Sequence, residues 1–486
     1  MKLNFKHFSY LLLAAGMLLV GCSKSSTEPE GGEGTQTEVS NDNSIAGFSF
    51  KKEQNPTLTE SKYTSKTDNK LIFITVPEGV DLTKLVPNFT IHPKAVAKIG
   101  GKVVKSDSSV VDFSKTQTLS VTSESGISKQ YQVLVRNGNA RLDAKVYTFM
   151  LRHELPAVSV AISKDEETVY AAGYGFADRD KKVRADENTL FRLASMSKQH
   201  AAIAIMSLYE KGLVNLDDKV FGAGGVLEEM FGDGMSSAWK RMTVRDILSH
   251  SSGIGTDCIF GSSTYANKNT KERVALLLKN VTPAYAIGRY SYNNSNFGIA
   301  GLIVEQITGK AFMDYLKEDV YGPAGIHEIY GGKNTQADKR ENECVYYGQG
   351  GKNPYGNDVE AGVAAGGVIA STTELMRLMA RIDGSPKVED ILKPETIELM
   401  CSAKAGMVSS TGAAYKKYAL GWRCNYTDYP SWTAFHGGTL AGVATIWARS
   451  KTNVNGVILC NSRSYDMDID DEMWDVLVEI QNMFNN

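Results

Sequence analysis

Between residues 44 and 137 the chain consists of short strand-like runs rich in apolar residues. Residues 71–76, 118–122 and 131–135 are the clearest of these runs, and turn-forming sequences at 77–79, 100–101 and 125–126 separate them. Short strands with turn signals between them and no helical period are typical of an all-β sandwich. We therefore expect residues 44–137 to form a small all-β sandwich domain.

The remainder of the chain has strand patterns at both ends and helical patterns between them. Residues 155–163 and 167–175 predict one hairpin, and residues 443–448 and 456–460 predict a second one. In the last stretch, 471–484, apolar residues fall on one helical face. This order predicts an α/β domain over 138–486, in which an antiparallel sheet built from both ends is flanked by helices and carries a helical subdomain.

The N-terminus has the pattern of a secretory signal. Lys2 and Lys6 precede an apolar run at 10–20, and Gly21 and Cys22 follow it. The run is short for a membrane span. Its ending resembles a bacterial lipobox, so 1–21 is predicted to be a signal peptide and Cys22 the lipidated residue. The alternative is a signal peptide with an incidental cysteine.

Residues 22–43 are polar and have no apolar period, which predicts a flexible tether. Tether and lipid together predict a protein held to a membrane of the bacterial cell envelope through Cys22. The expected location is the outer membrane, with the protein facing either the periplasm or the surface.

Composition narrows the range of functions. The chain has 486 residues and a net charge of −2 without a basic block, which is not typical of nucleic-acid binding. His153-Glu154 and His327-Glu328 lack a second histidine at zincin spacing, so we expect no metal site. We expect no other cofactor either.

Five cysteines follow Cys22, so at most two disulfides can form. Cys460 lies in an apolar run and is predicted to be a buried free thiol.

The candidate chemistry centres on Ser195 and Lys198, at the start of a predicted helix over 199–211. A spacing of three places both side chains on one helical face, with the serine near the positive end of the helix dipole. A serine hydroxyl is protonated at neutral pH, so it needs a base, and a desolvated lysine gives up its own proton more readily. The pair is therefore predicted to be an activated nucleophile.

Two other serines also precede a lysine by three residues. Ser49 and Lys52 lie in a strand-like run, whereas Ser237 and Lys240 follow a glycine-rich loop. Neither pair stands where a strand leads into a long helix, so we expect no chemistry at either.

Further motifs follow in a recognisable order. Residues 244–253 are similar to the "LLTHTSGL" segment of the serine β-lactamase and penicillin-binding-protein superfamily, and Tyr292-Asn293-Asn294 is similar to its Tyr-x-Asn motif. His436-Gly437-Gly438 stands in the position of its third motif. With Ser195 and Lys198, these segments resemble the branch of class C β-lactamases and DD-peptidases.

The region 44–137 resembles the immunoglobulin-like domains of Bacteroidota lipoproteins. This resemblance favours a role as a spacer, with carbohydrate or partner binding as the alternative.

Each motif has a local rival. Tyr265-x-Asn267 and Tyr355-x-Asn357 also match Tyr-x-Asn, but neither leads directly into a helix. Lys404-Ala405-Gly406 imitates a Lys-Thr-Gly motif, but it precedes Leu420-Gly421-Trp422, whereas His436 follows that segment and leads into the last hairpin. Position therefore favours Tyr292 and His436.

The resemblance implies a role for each of these residues. Ser195 is the expected nucleophile, and Lys198 and Tyr292 transfer its proton in an order that stays open. The substrate-binding group is expected to be Asn294, His436, Gly438 and Thr439, and the backbone N–H groups of Ser195 and Thr439 form the oxyanion hole. A histidine in place of the usual lysine is expected to hold a substrate carboxylate less firmly.

The expected function is that of a serine hydrolase that forms an acyl-enzyme on an amide or ester carbonyl. Its partner is a small-molecule or peptide substrate, which is a D-amino-acid peptide, an ester or a β-lactam. The alternative is a surface binding lipoprotein whose hydrolase fold has lost its activity.

Overall fold

The computed structural model describes residues 39–485 apart from 61, 69, 78 and 428–430. The predicted signal peptide, the lipidation residue Cys22 and most of the predicted tether lie outside the described residues. Among the residues described, no helix is both long and apolar enough to cross a membrane.

The first region is all-β, as expected. In the described residues its strands are β1 Ile45–Lys51, β2 Lys62–Thr64, β3 Lys66–Asp68, β4 Leu71–Val76, β5 Pro87–Ile91, β6 Val96–Ile99, β7 Lys102–Val103, β8 Gln117–Thr122 and β9 Ser128–Asn137. They form one sheet in the order β2-β1-β5 and another in the order β3-β4-β9-β8-β6-β7. Phe50 of the first sheet and Val133 of the second belong to one buried apolar cluster, so the two sheets enclose a shared core.

The second region mixes strands and helices. Its strands are β10 Ala157–Lys164, β11 Glu167–Asp178, β12 Val183–Arg184, β13 Phe191–Arg192, β14 Tyr330–Gly331, β15 Val368–Ala370, β16 Arg423–Cys424, β17 Trp432–Leu440, β18 Val443–Ser450 and β19 Val454–Cys460. Its α-helices are α1 Ala140–Arg152, α2 Ser197–Glu210, α3 Glu228–Phe231, α4 Val244–Leu248, α5 Thr270–Asn280, α6 Asn294–Thr308, α7 Phe312–Tyr315, α8 Thr372–Met379, α9 Pro394–Cys401 and α10 Ile469–Phe484.

The central sheet joins the two ends of this region, as the two hairpins predicted. Its order in the described chain is β12-β11-β10-β19-β18-β17-β16, and every neighbouring pair is antiparallel. The closing pair is β10 with β19, in which Val160 lies opposite Ile458. A small second sheet, β13-β15-β14, leads the chain from Arg192 toward α2.

Helices cover the two faces of the central sheet. On one face α1 and α10 bury Phe149, Met473 and Leu477 against it. On the other face lies the helical subdomain, in which α2 is buried from Ser197 to Leu208. A helix this deep in the core can carry a lysine only where hydrogen bonds satisfy its amine, which makes Lys198 unusual.

The β region packs directly onto the second region. The ring of Phe73 stacks on that of Tyr147 in α1 at 4.7 Å between ring centres. Arg136 of β9 donates to the carbonyl of Gly173 at 3.1 Å and lies 4.6 Å from the ring centre of Tyr174. If the β region were a spacer joined to the second region only through the chain, side chains would not be buried between the two regions. The junction is thus a packed interface.

Candidate active site

The nucleophile candidate lies on a strained turn between β13 and α2. Ala194 has φ of +49°, an uncommon value for a residue with a side chain. A Cβ on Gly438 of β17 would lie 2.2 Å from the carbonyl oxygen of Leu193, so only glycine allows the sheet to approach this turn. Thr445 donates to the same carbonyl at 2.9 Å. Ser195 is half-buried while its neighbours are buried, so the turn is open to solvent at this residue.

Lys198 is fully buried, and its amine has a partner for each of its three protons. Nζ donates to Ser195 Oγ at 3.1 Å, to Asn294 Oδ1 at 2.8 Å and to the carbonyl oxygen of Ala365 at 2.6 Å. Because these partners come from three separate segments, the amine is held in one place.

The surroundings of Lys198 weaken its hold on the proton. Burial lowers its pKa from the ordinary value to about 7. The carboxylate of Asp257 opposes this effect, and the guanidinium of Arg423 adds to it. A pKa near neutrality gives a substantial fraction of free amine at pH 7, as a general base requires.

Tyr292 brings a second polar hydrogen to the nucleophile. Its hydroxyl donates to Ser195 Oγ at 2.7 Å, and its ring centre lies 4.9 Å from Lys198 Nζ. Burial raises the pKa of Tyr292 above its usual value, and the hydrogen bond to Ser195 opposes that rise. The phenol is therefore protonated at neutral pH and acts as a donor.

Asn294 is the first residue of α6, and this position fixes its side chain. The preceding residue, Asn293, caps the helix by accepting from the N–H of Ser295 at 2.9 Å. The amide of Asn294 accepts from Lys198 through Oδ1 and donates through Nδ2 to Asp257 Oδ2 at 2.8 Å. Asp257 was missed in the sequence, where nothing local distinguishes it from other loop aspartates.

His436 lies beside the site as a buried, neutral ring. Its Nε2 is 3.1 Å from the hydroxyl of Tyr418, and its Nδ1 is 2.6 Å from the carbonyl oxygen of Gly437. Burial lowers the pKa of His436 well below its usual value, and the charge of Arg423 adds to this effect. The imidazole therefore supplies no positive charge at neutral pH.

Gly438 and Thr439 follow His436 along β17. Gly438 makes the close approach to the nucleophile turn described above. Thr439 is exposed, and its hydroxyl oxygen accepts from Arg463 at 3.0 Å. This end of β17 therefore runs beside Ser195, with the Thr439 side chain pointing outward.

Arg423 is a second residue that sequence reasoning missed. Its Cζ lies 5.9 Å from the ring centre of Tyr292, and Nη1 donates to the hydroxyl of Tyr426 at 2.8 Å. Among the residues described, no carboxylate pairs with this guanidinium. A permanent cation therefore lies beside Tyr292 and acts on Lys198, and it directly follows the Leu420-Gly421-Trp422 segment that the sequence analysis identified.

The rival Ser-x-x-Lys pairs have structural surroundings. Ser237 is exposed, and Lys240 pairs with Asp233 at 2.7 Å. Ser49 donates to Asn88 at 3.0 Å within the β region.

The rivals of the second and third motifs also lie in structural contacts. Lys404 pairs with the buried Asp246 and donates to Ser251 at 3.2 Å, so it fixes the 246–251 segment. The hydroxyl of Tyr355 accepts from the N–H of Tyr346 at 3.2 Å, and Tyr265 is buried in a short turn.

Cysteine thiols and metal-binding side chains are the remaining candidates for chemistry in the described residues. The cysteines of the described chain are free thiols, and Cys460 is buried as predicted. Within the same residues, His, Cys, Asp and Glu side chains form no group of three or more that could hold a metal ion.

The antiparallel sheet, its helical subdomain and the Ser-Lys-Tyr arrangement define a fold of the penicillin-binding-protein and class C β-lactamase type. The sequence model of the family described as Beta-lactamase matches residues 140–479, and the chain belongs to that family. The model described as SGBP, N-terminal, matches residues 48–135.

Individual relatives are distant. The chain is 24% identical over 344 residues to the protein flp of Staphylococcus aureus (strain MRSA252), a match that covers 68% of this chain and 64% of that protein. A class C β-lactamase superposes with a TM-score of 0.56 at 20% identity, covering 70% of this chain and 94% of the other. The D-amino acid amidase of Ochrobactrum anthropi SV3, complexed with L-phenylalanine, superposes with a TM-score of 0.56 at 20% identity. This match covers 70% of this chain and 98% of the amidase. These two structures share the fold.

Proposed function

We propose that this protein is a serine hydrolase that acts through an acyl-enzyme on an amide or ester carbonyl. The observation that carries the proposal is the convergence on Ser195 Oγ of two hydrogen bonds, from Lys198 at 3.1 Å and from Tyr292 at 2.7 Å. A serine held between an amine of lowered pKa and a phenol donor is arranged for proton removal and nucleophilic attack.

The hydrogen-bond partners of Lys198 favour it as the first base. A neutral amine has two N–H groups and one lone pair. Asn294 Oδ1 and the carbonyl of Ala365 can only accept, so they take the two N–H groups. The lone pair is then left for Ser195, whose hydroxyl can donate to it. In this arrangement Lys198 takes the proton as Ser195 attacks the carbonyl carbon.

Tyr292 is suited to the next proton transfer. Its phenol stays protonated, because burial raises its pKa. As the tetrahedral intermediate collapses, Tyr292 gives its proton to the leaving nitrogen or oxygen and recovers one from Lys198. Water then releases the acyl group by the reverse sequence. The backbone N–H groups of Ser195 and Thr439 are the proposed oxyanion donors, since β17 runs beside the nucleophile turn.

The charges around the nucleophile favour a substrate with a negative group. Arg423 stays charged and lies beside Tyr292, whereas His436 is neutral. A D-amino-acid peptide with a free carboxylate on its leaving side fits this arrangement, and the fold shared with a D-amino acid amidase supports only the D-amino-acid part of this proposal. Arg423 would take the place of the missing third-motif lysine.

The location is part of the same proposal. The pattern around Cys22 and the polar stretch after it support a lipid-anchored hydrolase at the cell envelope. Its substrate would then be a peptide, ester or β-lactam outside the cytoplasm.

Labelling with a fluorophosphonate probe tests the proposal. We expect one covalent adduct per chain, on the peptide that contains Ser195, and no adduct in Ser195→Ala. Ser237→Ala is the matched control, because its serine also precedes a lysine by three residues, and it should label fully. An adduct on Ser237 would refute the Ser195 mechanism. A wild-type chain that does not label would favour the inactive binding protein.

A further inference from the structure

Asp257 lies on a loop that is fastened to the start of α6. The N–H of Cys258 donates to Ser295 Oγ at 2.8 Å, and Ser295 Oγ donates to the carbonyl of Thr256 at 2.9 Å. Ser295 directly follows Asn294, so these bonds hold the residues on both sides of Asp257 next to the amide that contacts Lys198.

The carboxylate of Asp257 is also fixed in orientation. Its Oδ1 accepts from the N–H groups of Ile259 at 2.9 Å and Phe260 at 3.1 Å. Its Oδ2 is thereby left to accept from Asn294 Nδ2 at 2.8 Å. One oxygen anchors the side chain to its own loop, and the other points at the catalytic cluster.

Asp257 and Lys198, which contact the two ends of the Asn294 amide, permit only one of its two orientations. An amide side chain has an acceptor at one end and a donor at the other, and rotation by half a turn exchanges them. A carboxylate can only accept, and a protonated lysine amine can only donate. The reversed amide would place its oxygen against Asp257 and its NH₂ against Lys198, which loses both hydrogen bonds and brings like partial charges together.

We propose that Asp257 is a positioning residue for the hydrolase reaction: it fixes the Asn294 amide so that its oxygen holds Lys198 against Ser195. The inference rests on the proposed function, because it assigns a part in the same proton transfer. Asp257 acts through Asn294 and does not contact the reacting atoms.

Asp257 also affects the charge balance at Lys198. The titratable and charged groups that face this amine come from five segments: Asp257, Arg423, Tyr292, His250 and His436. Asp257 is the anionic member of this set, and its charge raises the pKa of Lys198 against the effect of burial. Removing that charge should make Lys198 easier to deprotonate.

The test measures the second-order rate of fluorophosphonate labelling between pH 5 and 9. In Asp257→Asn the new side chain keeps an oxygen for the loop N–H groups, but it loses the charge and turns an NH₂ toward Asn294 Nδ2, so the plateau rate should fall as well. We expect the acidic limb of the rate–pH profile to shift toward lower pH by on the order of half a pH unit. In Asp257→Ala the Asn294 amide is free to rotate, and the plateau rate should fall about tenfold, the effect of losing one charge-assisted hydrogen bond.

A double-mutant comparison separates positioning from a general structural role. Once Asn294→Ala has removed the amide, adding Asp257→Ala should change the plateau rate little. Asp217→Asn, at an exposed aspartate that pairs with Arg245, is the control and should leave the profile unchanged. The double-mutant comparison does not use Asp257→Asn, so it tests the proposal even if that variant folds poorly.

The outcomes distinguish the two proposals. A wild-type chain that does not label overturns the hydrolase function itself. If the wild-type chain labels, two results overturn the role of Asp257 and leave the hydrolase function in place. One is an acidic limb of the rate–pH profile that does not move in Asp257→Asn, and the other is independent losses of plateau rate in the double variant.

Discussion

Arg136 and Asp143 form an ion pair across the junction between the β region and the hydrolase region. Arg136 Nε lies 3.6 Å from Asp143 Oδ2, and the Asp143 side chain is 0% exposed. The other carboxylate oxygen accepts from the hydroxyls of Tyr170 and Tyr174 in β11. The β region therefore supplies the counter-charge for a buried carboxylate of the hydrolase region, and it contributes to the folded unit in addition to any spacer role.

Replacing Arg136 by methionine should destabilise the protein. The substitution leaves Asp143 buried without its cation, a change that costs about 3 kcal/mol. The measurement is the free energy of unfolding in urea, with the exposed Arg141→Met as a matched control in α1. Equal stability of the two variants would mean that the ion pair contributes little, and the spacer hypothesis would regain its support.

Activity should depend on the protonation of Lys198. The free amine is the active form, and its pKa is lowered to about 7. Below that pH the protonated fraction rises, so kcat/KM should fall about tenfold for each further pH unit and level off above it. A profile measured with a chromogenic ester checks this dependence. A rate that is flat down to pH 5 would contradict a lysine base.

Tyr292 and Lys198 should act as one unit. Tyr292→Phe and Lys198→Ala are each expected to slow acylation by about a hundredfold or more, and the double variant should be far less impaired than the product of the two. Stopped-flow labelling rates give the comparison. Tyr265→Phe, in the rival Tyr-x-Asn segment, is the control and should react normally. Strictly multiplicative losses would argue against a shared proton relay.

Arg423 should select substrates with a free carboxylate. Arg423→Gln is expected to raise KM about tenfold for a D-dipeptide with a free C-terminus, since a charge-assisted contact is lost, and to change KM little for the same peptide with an amidated C-terminus. Steady-state kinetics on the two peptides provide the test. Equal losses on both would assign Arg423 to packing around Tyr292 instead.

Cys22 should decide membrane attachment. With Cys22→Ser the protein is expected to move from the membrane fraction to the soluble fraction, because the lipid anchor is lost. Fractionation followed by immunoblotting measures the change, and Cys258→Ser, at a buried thiol, is the control. Unchanged membrane association would rule out the anchor.

Features that depend on neighbours along the chain could be predicted from the sequence. The apolar patterns were sufficient to predict both hairpins and the last helix, since these elements show the period of the structure they form. The predicted helix over 199–211 is observed as Ser197–Glu210, with Ser195 in the turn just before it. The Ser-x-x-Lys spacing could be read locally because one helical turn brings the two residues together. The resemblance to a known family added Tyr292 and His436.

The electrostatics of the site could not be predicted in this way, because they depend on how the chain folds. The lowered pKa of Lys198 requires burial inside the subdomain, which no local pattern reports. Asp257 and Arg423 reach the site from a loop and a short strand, and neither position has a period or a motif of its own. Arg136 faces Asp143 because two separately patterned regions pack together. Charge interactions depend on distance in space, and folding sets those distances between residues that are far apart in the chain.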